Sequence, residues 1–267
     1  WCSGWELASS VSNAGGLGII GAGSMYPEVL KEQIKKCKAA TNKPFAVNLP
    51  LLYPSIEAHV QTIIEEKIPI VFTSAGSPKK WTSLFKQHGI KVVHVVSNVM
   101  FAQKSEAAGV DAIVAEGFEA GGHNGIEETT TFCLIPDVAK AIDIPLIAAG
   151  GIIDGRGMLA AMILGADGVQ MGTRFVSSLE SPVHENFKGA IVNGSEQGTY
   201  ILNKKAKPCI RALKTELTDK IYEEGLMDMS ALSGIKDLYF GGDMNAAPAL
   251  AGQSIGLINE VLPVEQI

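Results

Sequence analysis

The feature of this sequence that most constrains its fold is a regular alternation of amphipathic segments with short apolar runs. Ser55–Glu66, for example, carries apolar residues at helical spacing and is followed by the apolar run Ile70–Thr73. Two of the links between such segments echo each other, because Gly109-Val110-Asp111 and Gly165-Ala166-Asp167 each join a helix to a strand. Repeated units of this kind predict a parallel sheet with helices packed outside it.

The alternation predicts seven strands and seven helices before Phe175. The predicted strands are Leu17–Ile20, Pro44–Leu49, Ile70–Thr73, Val92–Val96, Ala112–Ala115, Pro145–Ala149 and Gly168–Met171. The predicted helices are Trp1–Ala14, Pro27–Ala40, Ser55–Glu66, Trp81–Gln87, Val99–Ala108, Ile135–Ile142 and Gly157–Leu164. A TIM (β/α)8 barrel needs eight strands, so we expect an α/β barrel whose first strand would precede Trp1 and is missing here. A doubly wound open sheet is the alternative.

The pattern changes after Phe175. Residues 181–242 are richer in Lys, Glu and Gly and show no alternation of strands with helices, so we expect a helical insertion or cap there, with Cys209–Glu223 helical. Asn245–Ile258 has apolar residues at helical spacing and predicts a closing outer helix. The expected domains are therefore a barrel formed by residues 1–180 and 243–267, and an insertion formed by residues 181–242.

Charge and cysteine usage exclude several classes of function. The net charge is −6 and no block of Lys and Arg stands out, which argues against binding to nucleic acid or to an anionic membrane surface. The four cysteines are scattered, without a C-x-x-C pair, so we expect reduced thiols, a cytoplasmic protein and no metal site. No apolar run approaches the length of a membrane span.

A glycine motif near the start of the chain does not indicate a dinucleotide site. Residues 16–21 match G-x-G-x-x-G. That fingerprint requires a strand before the glycines and a helix that begins among them. Here the predicted helix comes first and the strand runs through the glycines, so the Rossmann interpretation is rejected.

Glycines follow both of the last two predicted strands, in the dipeptides Gly150-Gly151 and Gly172-Thr173. In a parallel barrel a phosphate often binds between the loops after the seventh and eighth strands. Unhindered N–H groups, together with the Thr173 hydroxyl and a helix that follows, would suit an anion. One such pair alone would be read as a tight strand end; two on adjacent loops favour a phosphate site for a mononucleotide.

Three polar residues stand at predicted strand ends: Asn48, Glu116 and Gln170. The Asn48 amide could bond the edge of a heterocycle, although an Asx turn before Pro50 explains it nearly as well. Glu116 and Gln170 could reach a polar ring, and solvated strand ends are the competing interpretation.

His123 is the candidate catalytic residue. It stands in an open turn with Gly121, Gly122 and Gly125, where a flat ligand can come close to the main chain. A histidine in such a place can titrate near neutrality. A turn histidine bonded to its own backbone is the alternative. Of the other histidines, His59 and His88 are expected on helix surfaces and His94 in the core. His184 is expected on the surface of the insertion, with the mouth of an active site as the alternative.

Together these residues resemble the nitronate monooxygenase family and its close relatives, the FMN-dependent enoyl-acyl-carrier-protein reductases. The stretches that carry the resemblance are Val11–Gly18, Val47–Pro50, Glu119–Gly125, Ala148–Ile152, Gly165–Phe175 and Ala251–Gln253. The resemblance implies a TIM barrel that binds FMN, with His123 in the position of the catalytic histidine. The positions that it matches to flavin contacts are Asn48, Glu116, Gly121, Gly151, Gln170, Met171, Gly172 and Thr173.

The function that the resemblance implies is oxidation of nitronates or nitroalkanes with O₂, with His123 as base or anion stabiliser. The alternative is an FMN-dependent enoyl-acyl-carrier-protein reductase that uses NAD(P)H on an enoyl thioester. A flavin-binding module without catalysis is the third hypothesis. The family also raises the expectation of a homodimer.

Overall fold

The computed structural model of the chain describes residues 2–54, 56–204 and 208–267, and within them the chain forms ten strands. Their bounds are β1 Gly18–Gly21, β2 Phe45–Pro50, β3 Ile70–Ser74, β4 Lys91–Val96, β5 Ala112–Glu116, β6 Gly122–Asn124, β7 Leu146–Ala149, β8 Gly168–Gln170, β9 Thr199–Leu202 and β10 Cys209–Leu213. Seven of them form one parallel sheet in the order β1-β2-β3-β4-β5-β7-β8. All seven predicted strands are therefore confirmed, and the order along the sheet is that of a curled half-barrel.

Ten α-helices accompany the strands. Their bounds are α1 Trp5–Asn13, α2 Pro27–Ala40, α3 Ile56–Glu65, α4 Lys79–Gln87, α5 Val99–Ala107, α6 Thr131–Ala139, α7 Gly155–Ile163, α8 Thr173–Val176, α9 Glu185–Val192 and α10 Glu216–Glu224. Trp1 and Ser55, the predicted first residues of two helices, lie outside the described residues. Across the described ranges, no helix combines the length and the hydropathy that a membrane crossing requires.

The parallel sheet separates two apolar clusters, because successive side chains of a strand point to opposite faces. The outer cluster joins the sheet to the helices and includes Val47, Val71 and Ile113. The inner cluster holds the residues between them on the same strands, among them Ala46 and Val114. Burial on both faces explains why these strands read as continuous apolar runs.

The echoed links have a structural cause. Asp111 and Asp167 each place a carboxylate oxygen on the backbone N–H of an adjacent strand, at 2.9 Å from Val92 N and 2.8 Å from Leu146 N. Each aspartate also donates its own N–H to the carbonyl of the same residue, at 2.7 Å. The repeated aspartate therefore sets where each strand begins against its neighbour.

The segment 181–242 is not purely helical, which corrects part of the prediction. It contains α9 and α10, but also β9 and β10. Cys209–Leu213 is a strand whose five residues are all buried, and it pairs on both sides in an antiparallel sheet of order β6-β10-β9. A short apolar run buried on both faces cannot be told from a helical segment by its periodicity.

The predicted helix Asn245–Ile258 is also wrong. Only Gln253–Leu257 turns there, as a 3-10 helix. Upstream the chain is extended: Leu250 forms a bridge with Ala212, and the Ala249 carbonyl accepts from Leu213 N at 2.8 Å. Pro248 has no backbone N–H and opposes a helix at this point.

Replacing Asp111 with Ala should lower the free energy of unfolding by about 1–2 kcal/mol, because Val92 N–H loses its acceptor. Burial acts to raise the pKa of Asp111, but the hydrogen bond from Val92 and the ammonium groups of Lys91 and Lys86 leave that pKa below its usual value. The fold therefore favours the ionised form, and its contribution is lost as the pH falls. The difference in the free energy of unfolding between wild type and Asp111→Ala, measured by urea denaturation, should decrease below about pH 4.

The matched control is Asp143→Ala, since Asp143 is exposed in the equivalent region before β7. We expect it to change the free energy of unfolding by less than about 0.5 kcal/mol. Equal losses in the two variants would contradict the role assigned to Asp111.

Candidate active site

The three polar strand-end residues share the inner face of the sheet. Asn48 is two residues from Ala46, and Glu116 is two residues from Val114, both members of the inner cluster. Glu116 pairs with Ala149, which pairs in turn with Gln170. The carboxyl end of the sheet therefore carries polar groups above an apolar floor.

Glu116 and Gln170 lack hydrogen-bond partners within the described residues. The Gln170 Oε1 atom is buried and accepts no hydrogen bond. The Glu116 carboxyl lies on the same side, and burial raises its pKa to about 7. Asn48 is better satisfied, as its Oδ1 accepts from Ser74 Oγ at 3.5 Å. Buried polar groups are normally paired, so this end of the sheet has unused capacity to bind a polar ligand.

The two glycine loops leave backbone donors free. The N–H groups of Gly150, Gly151, Gly172 and Thr173 have no acceptor among the residues that the structure describes. The positive φ values of Gly150 (96°) and Gly151 (75°) lie in the region that favours glycine. Four unused donors on neighbouring loops are what an anionic group requires.

Met171, predicted among the flavin contacts, has a different orientation. Its side chain packs against the outer cluster, between the sheet and the helices. A contact between Met171 and a ligand on the inner face would have to use backbone atoms.

The turn after β5 is fixed by main-chain hydrogen bonds to several distant segments. Gly117 N donates to Ala149 O at 2.9 Å, and Phe118 N donates to Thr129 O at 2.9 Å. The Glu119 carbonyl accepts from Gln253 N at 2.8 Å. These bonds hold the turn against β7 and against the segment that follows Leu250.

The side chain of Glu119 also caps the N-terminus of α6. Its carboxylate accepts from Thr131 N at 2.9 Å and from Thr131 Oγ1 at 3.0 Å. A carboxylate at a helix N-terminus satisfies a free N–H and interacts favourably with the helix dipole. The helix therefore starts at Thr131 and not at the predicted Ile135, and Pro136 lies inside it.

Thr131 and Gly252 bring the turn beside both glycine loops. Thr131 Oγ1 lies 2.8 Å from Gly150 O. Gly252 N donates to Thr173 Oγ1 at 2.8 Å. A Cβ on Gly252 would lie 2.9 Å from Glu119 O and 3.3 Å from Gly121 N, so this contact requires glycine. The loops that hold Gly150 and Thr173 are thus joined to the turn that leads to His123.

His123 lies in β6, two residues beyond Gly121, and pairs with Ile210 of β10. Its side chain is exposed, and it makes no hydrogen bond to the described residues. Partial desolvation nevertheless lowers the pKa of His123. The bond to the local backbone that could have explained this histidine is made by Asn124, whose Nδ2 donates to Ala120 O at 2.9 Å.

Two other histidines show where the predictions succeeded and failed. His94 is a core residue as predicted: Thr73 Oγ1 lies 2.7 Å from its Nδ1, and burial lowers its pKa to about 4. His59, predicted on a helix surface, is fully buried, and its Nε2 lies 2.9 Å from Met25 O. Neither lies in the turn that carries His123.

Arg211 supports the site but was not identified from the sequence. It is buried in β10, and its Nη2 and Nε donate to the Phe118 carbonyl at 2.8 and 3.2 Å. Its Nη1 donates to Thr199 Oγ1 at 3.0 Å, which ties β9 to the same turn. The one available signal was a single arginine inside the apolar run Cys209–Leu213.

Comparisons with known proteins agree with this arrangement. A family model described as nitronate monooxygenase matches residues 1–59 and 52–267. A probable nitronate monooxygenase of Staphylococcus aureus strain Newman is 32% identical, over 94% of this chain and 81% of its own length. A probable nitronate monooxygenase of Staphylococcus saprophyticus is 34% identical, over 82% and 74%.

Solved structures share the fold. FabK from Thermotoga maritima superposes with a TM-score of 0.96 at 44% identity, over 100% of this chain and 86% of that one. A nitroalkane oxidase from Streptomyces ansochromogenes gives a TM-score of 0.89 over 99% and 90%. At 24% identity, the second comparison shows the fold alone.

Gly121→Ala should destabilise the chain by about 1–3 kcal/mol, because a Cβ there would lie 2.5 Å from the Ala251 carbonyl carbon and 2.7 Å from Gly252 N. Both atoms belong to the main chain, so the clash cannot be relieved by a side-chain rotation. The measurement is the free energy of unfolding in urea.

Gly155→Ala is the control, since a Cβ at this first residue of α7 would meet nothing within 4 Å. We expect an unchanged or slightly higher stability, by up to about 1 kcal/mol. If Gly121→Ala were as stable as the control, the close contact between the turn and the Ala251–Gln253 segment would be refuted.

Proposed function

Because the chain belongs to the nitronate monooxygenase family, we propose that it is an FMN-dependent oxidoreductase that oxidises nitronates or nitroalkanes with O₂. One observation supports the proposal more than any other. Free backbone donors, unpartnered polar side chains and a histidine of lowered pKa occur on connected segments at one end of the sheet. Nitronates are small anions, and groups of this polarity suit them.

The described residues fit a flavin mononucleotide. The free N–H groups of Gly150, Gly151, Gly172 and Thr173 would hold the phosphate. Asn48, Glu116 and the unpartnered Gln170 Oε1 would face the polar edge of the ring. The main chain at Gly121, Gly122 and Met171 would lie beside the flavin ring.

His123 would carry the proton chemistry. When bound, FMN supplies the electron acceptor and the reaction with O₂. Because desolvation lowers the pKa of His123, its imidazole is neutral at pH 7 and is ready to remove the α-proton of a nitroalkane. With an anionic nitronate, which has already lost that proton, the same imidazole would stabilise the charge through its N–H.

A second candidate function is favoured by the structural comparison. FabK, of the enoyl-acyl-carrier-protein reductase II type, is 44% identical, whereas the Staphylococcus aureus nitronate monooxygenase is 32% identical. In this alternative the chain oxidises NAD(P)H and reduces an enoyl thioester, with the same flavin-binding residues.

The proposed partners are small molecules, and a second copy of the chain. α7 exposes Leu159 and Ile163 by 61% and 76% of their surface. In a homodimer, a second copy packed on this face would cover those side chains.

A pair of assays on the purified flavin-loaded protein decides between the two functions. Rapid O₂ uptake with propionate-3-nitronate, without NAD(P)H oxidation, would support the monooxygenase. Anaerobic bleaching of the flavin by NADH or NADPH, followed by reoxidation with crotonyl thioester, would support the reductase and overturn the first proposal.

His123→Ala should lower turnover by about 100-fold or more while the yellow flavin spectrum is retained, because the proton step loses its base. In the wild type, the acid limb of the kcat/KM profile with a neutral nitroalkane should lie below about pH 6.5, since the His123 pKa is lowered from its ordinary value. Steady-state kinetics across pH 5–9 would measure both effects.

His88→Ala serves as the control, because His88 is exposed at the C-terminal end of α4, before the opposite end of the sheet. Its kinetics should match those of the wild type. Full activity in His123→Ala would remove His123 from the mechanism.

A further inference from the structure

Glu116 is an unusual carboxyl even within this site. It is the last residue of β5 and points to the inner face, level with Ala149 and Gln170 of the next two strands. It makes no hydrogen bond and no ion pair with any residue that the structure describes. Glu116 is half-buried, and in such surroundings an unpaired carboxylate is disfavoured relative to a neutral carboxylic acid.

Among the described residues, no charged group compensates Glu116 from the elements around it. β4 ends at Val96, which pairs with Ala115, while β7 presents Ala149 and β8 presents the Gln170 amide. The titratable residues of the following turn are Glu119, whose carboxylate is bound to Thr131, and His123, whose own pKa is lowered. Burial is the sole cause that raises the pKa of Glu116 to about 7.

Glu116 and Gln170 also differ in what they offer to a ligand. The orphaned Gln170 Oε1 is an acceptor and requires a donor from outside the protein. A protonated Glu116 is a donor and requires an acceptor. A heterocycle with an N–H beside a carbonyl along one edge supplies both, and the pyrimidine part of a flavin has such an edge.

We propose that Glu116 enters the flavin complex as a neutral carboxylic acid that donates a hydrogen bond to an acceptor on the ring, so that flavin binding takes up a proton near neutral pH. This inference rests on the proposed flavin function. The step is a protonation: the solvent supplies a proton that forms an O–H bond on the Glu116 carboxylate, no group changes its oxidation state, and the flavin keeps its own protons.

The linkage has a defined sign. A ring that covers Glu116 removes water from the carboxyl and accepts its proton in a hydrogen bond, and both effects favour the protonated form. At a pH above the pKa of Glu116 in the flavin-free protein, each binding event must then take up one proton. The dissociation constant for FMN should therefore rise by about tenfold per pH unit above pH 7 and should be nearly constant below pH 6.

The experiment is a titration of flavin-free protein with FMN from pH 5.5 to 8.5, followed by quenching of flavin fluorescence. In Glu116→Gln, which is neutral at every pH, the rise above pH 7 should disappear. The phosphate of FMN titrates at about pH 6 with both proteins, so its effect cancels in the ratio of their dissociation constants. His123→Ala removes the neighbouring imidazole and should keep the wild-type slope.

A second measurement does not depend on flavin. In the flavin-free protein a raised carboxyl pKa reduces stability as the pH climbs from the unfolded value, about 4.3, through the folded one. The melting temperature of Glu116→Gln should therefore increase relative to that of the wild type as the pH rises from 5 to 8.

The outcomes separate the two proposals. FMN that binds with an affinity independent of pH, or a slope that persists in Glu116→Gln, would overturn this inference and leave the proposed function intact. FMN that fails to bind at any pH would overturn both. A slope that is lost in Glu116→Gln and kept in His123→Ala would establish Glu116 as the proton carrier.

Discussion

The candidate site depends on the attachment of one turn, residues 117–121, to the main chain of segments far away in the sequence. Its backbone forms hydrogen bonds with the main chain of Ala149 in β7 and of Gln253, and Arg211 of β10 donates to the Phe118 carbonyl. Such bonds join backbone to backbone or backbone to a buried guanidinium, so they fix the position of the turn to within the tolerance of a hydrogen bond. The glycines of the site follow from this constraint, because a Cβ at Gly121 or Gly252 would occupy the space of the opposing chain.

One physical effect shifts both titratable groups of the site in opposite directions. Removal of water disfavours the charged form of any group, so it raises the pKa of the Glu116 carboxyl and lowers the pKa of the His123 imidazole. Near neutral pH the His123 imidazole is therefore uncharged, and the Glu116 carboxyl is only partly ionised. Negative charge on a ligand meets backbone N–H groups and a neutral imidazole, and the opposing charge of Glu116 falls as the pH drops below about 7.

The parts of the fold that depend on local sequence patterns could be predicted from the sequence. Alternating apolar runs predicted all seven parallel strands, and glycines beside a histidine marked the turn before β6. Cys209–Leu213 was mistaken for a helix because its burial on both faces appears only in the folded context. Asn245–Ile258 was mistaken for one because its apolar residues have helical spacing, although Pro248 opposes a helix there. The roles of Glu119 and Arg211 depend on partners that are 12 and 93 residues away, which no local pattern reveals. Desolvation of Glu116 is likewise a property of the whole sheet.

Because β6 pairs with β10, the candidate site is formed by two parts of the chain. The groups that would hold FMN belong to the parallel sheet and its loops. His123, by contrast, lies in register with Ile210 and, through it, with Leu202, both of which come from the segment that follows the sheet. Opposed residues in a sheet point to the same face, so the side chains beside the imidazole are apolar and come from β9 and β10. Under the proposed function, this small antiparallel sheet would therefore contribute apolar surface beside the substrate, while the half-barrel would hold the flavin.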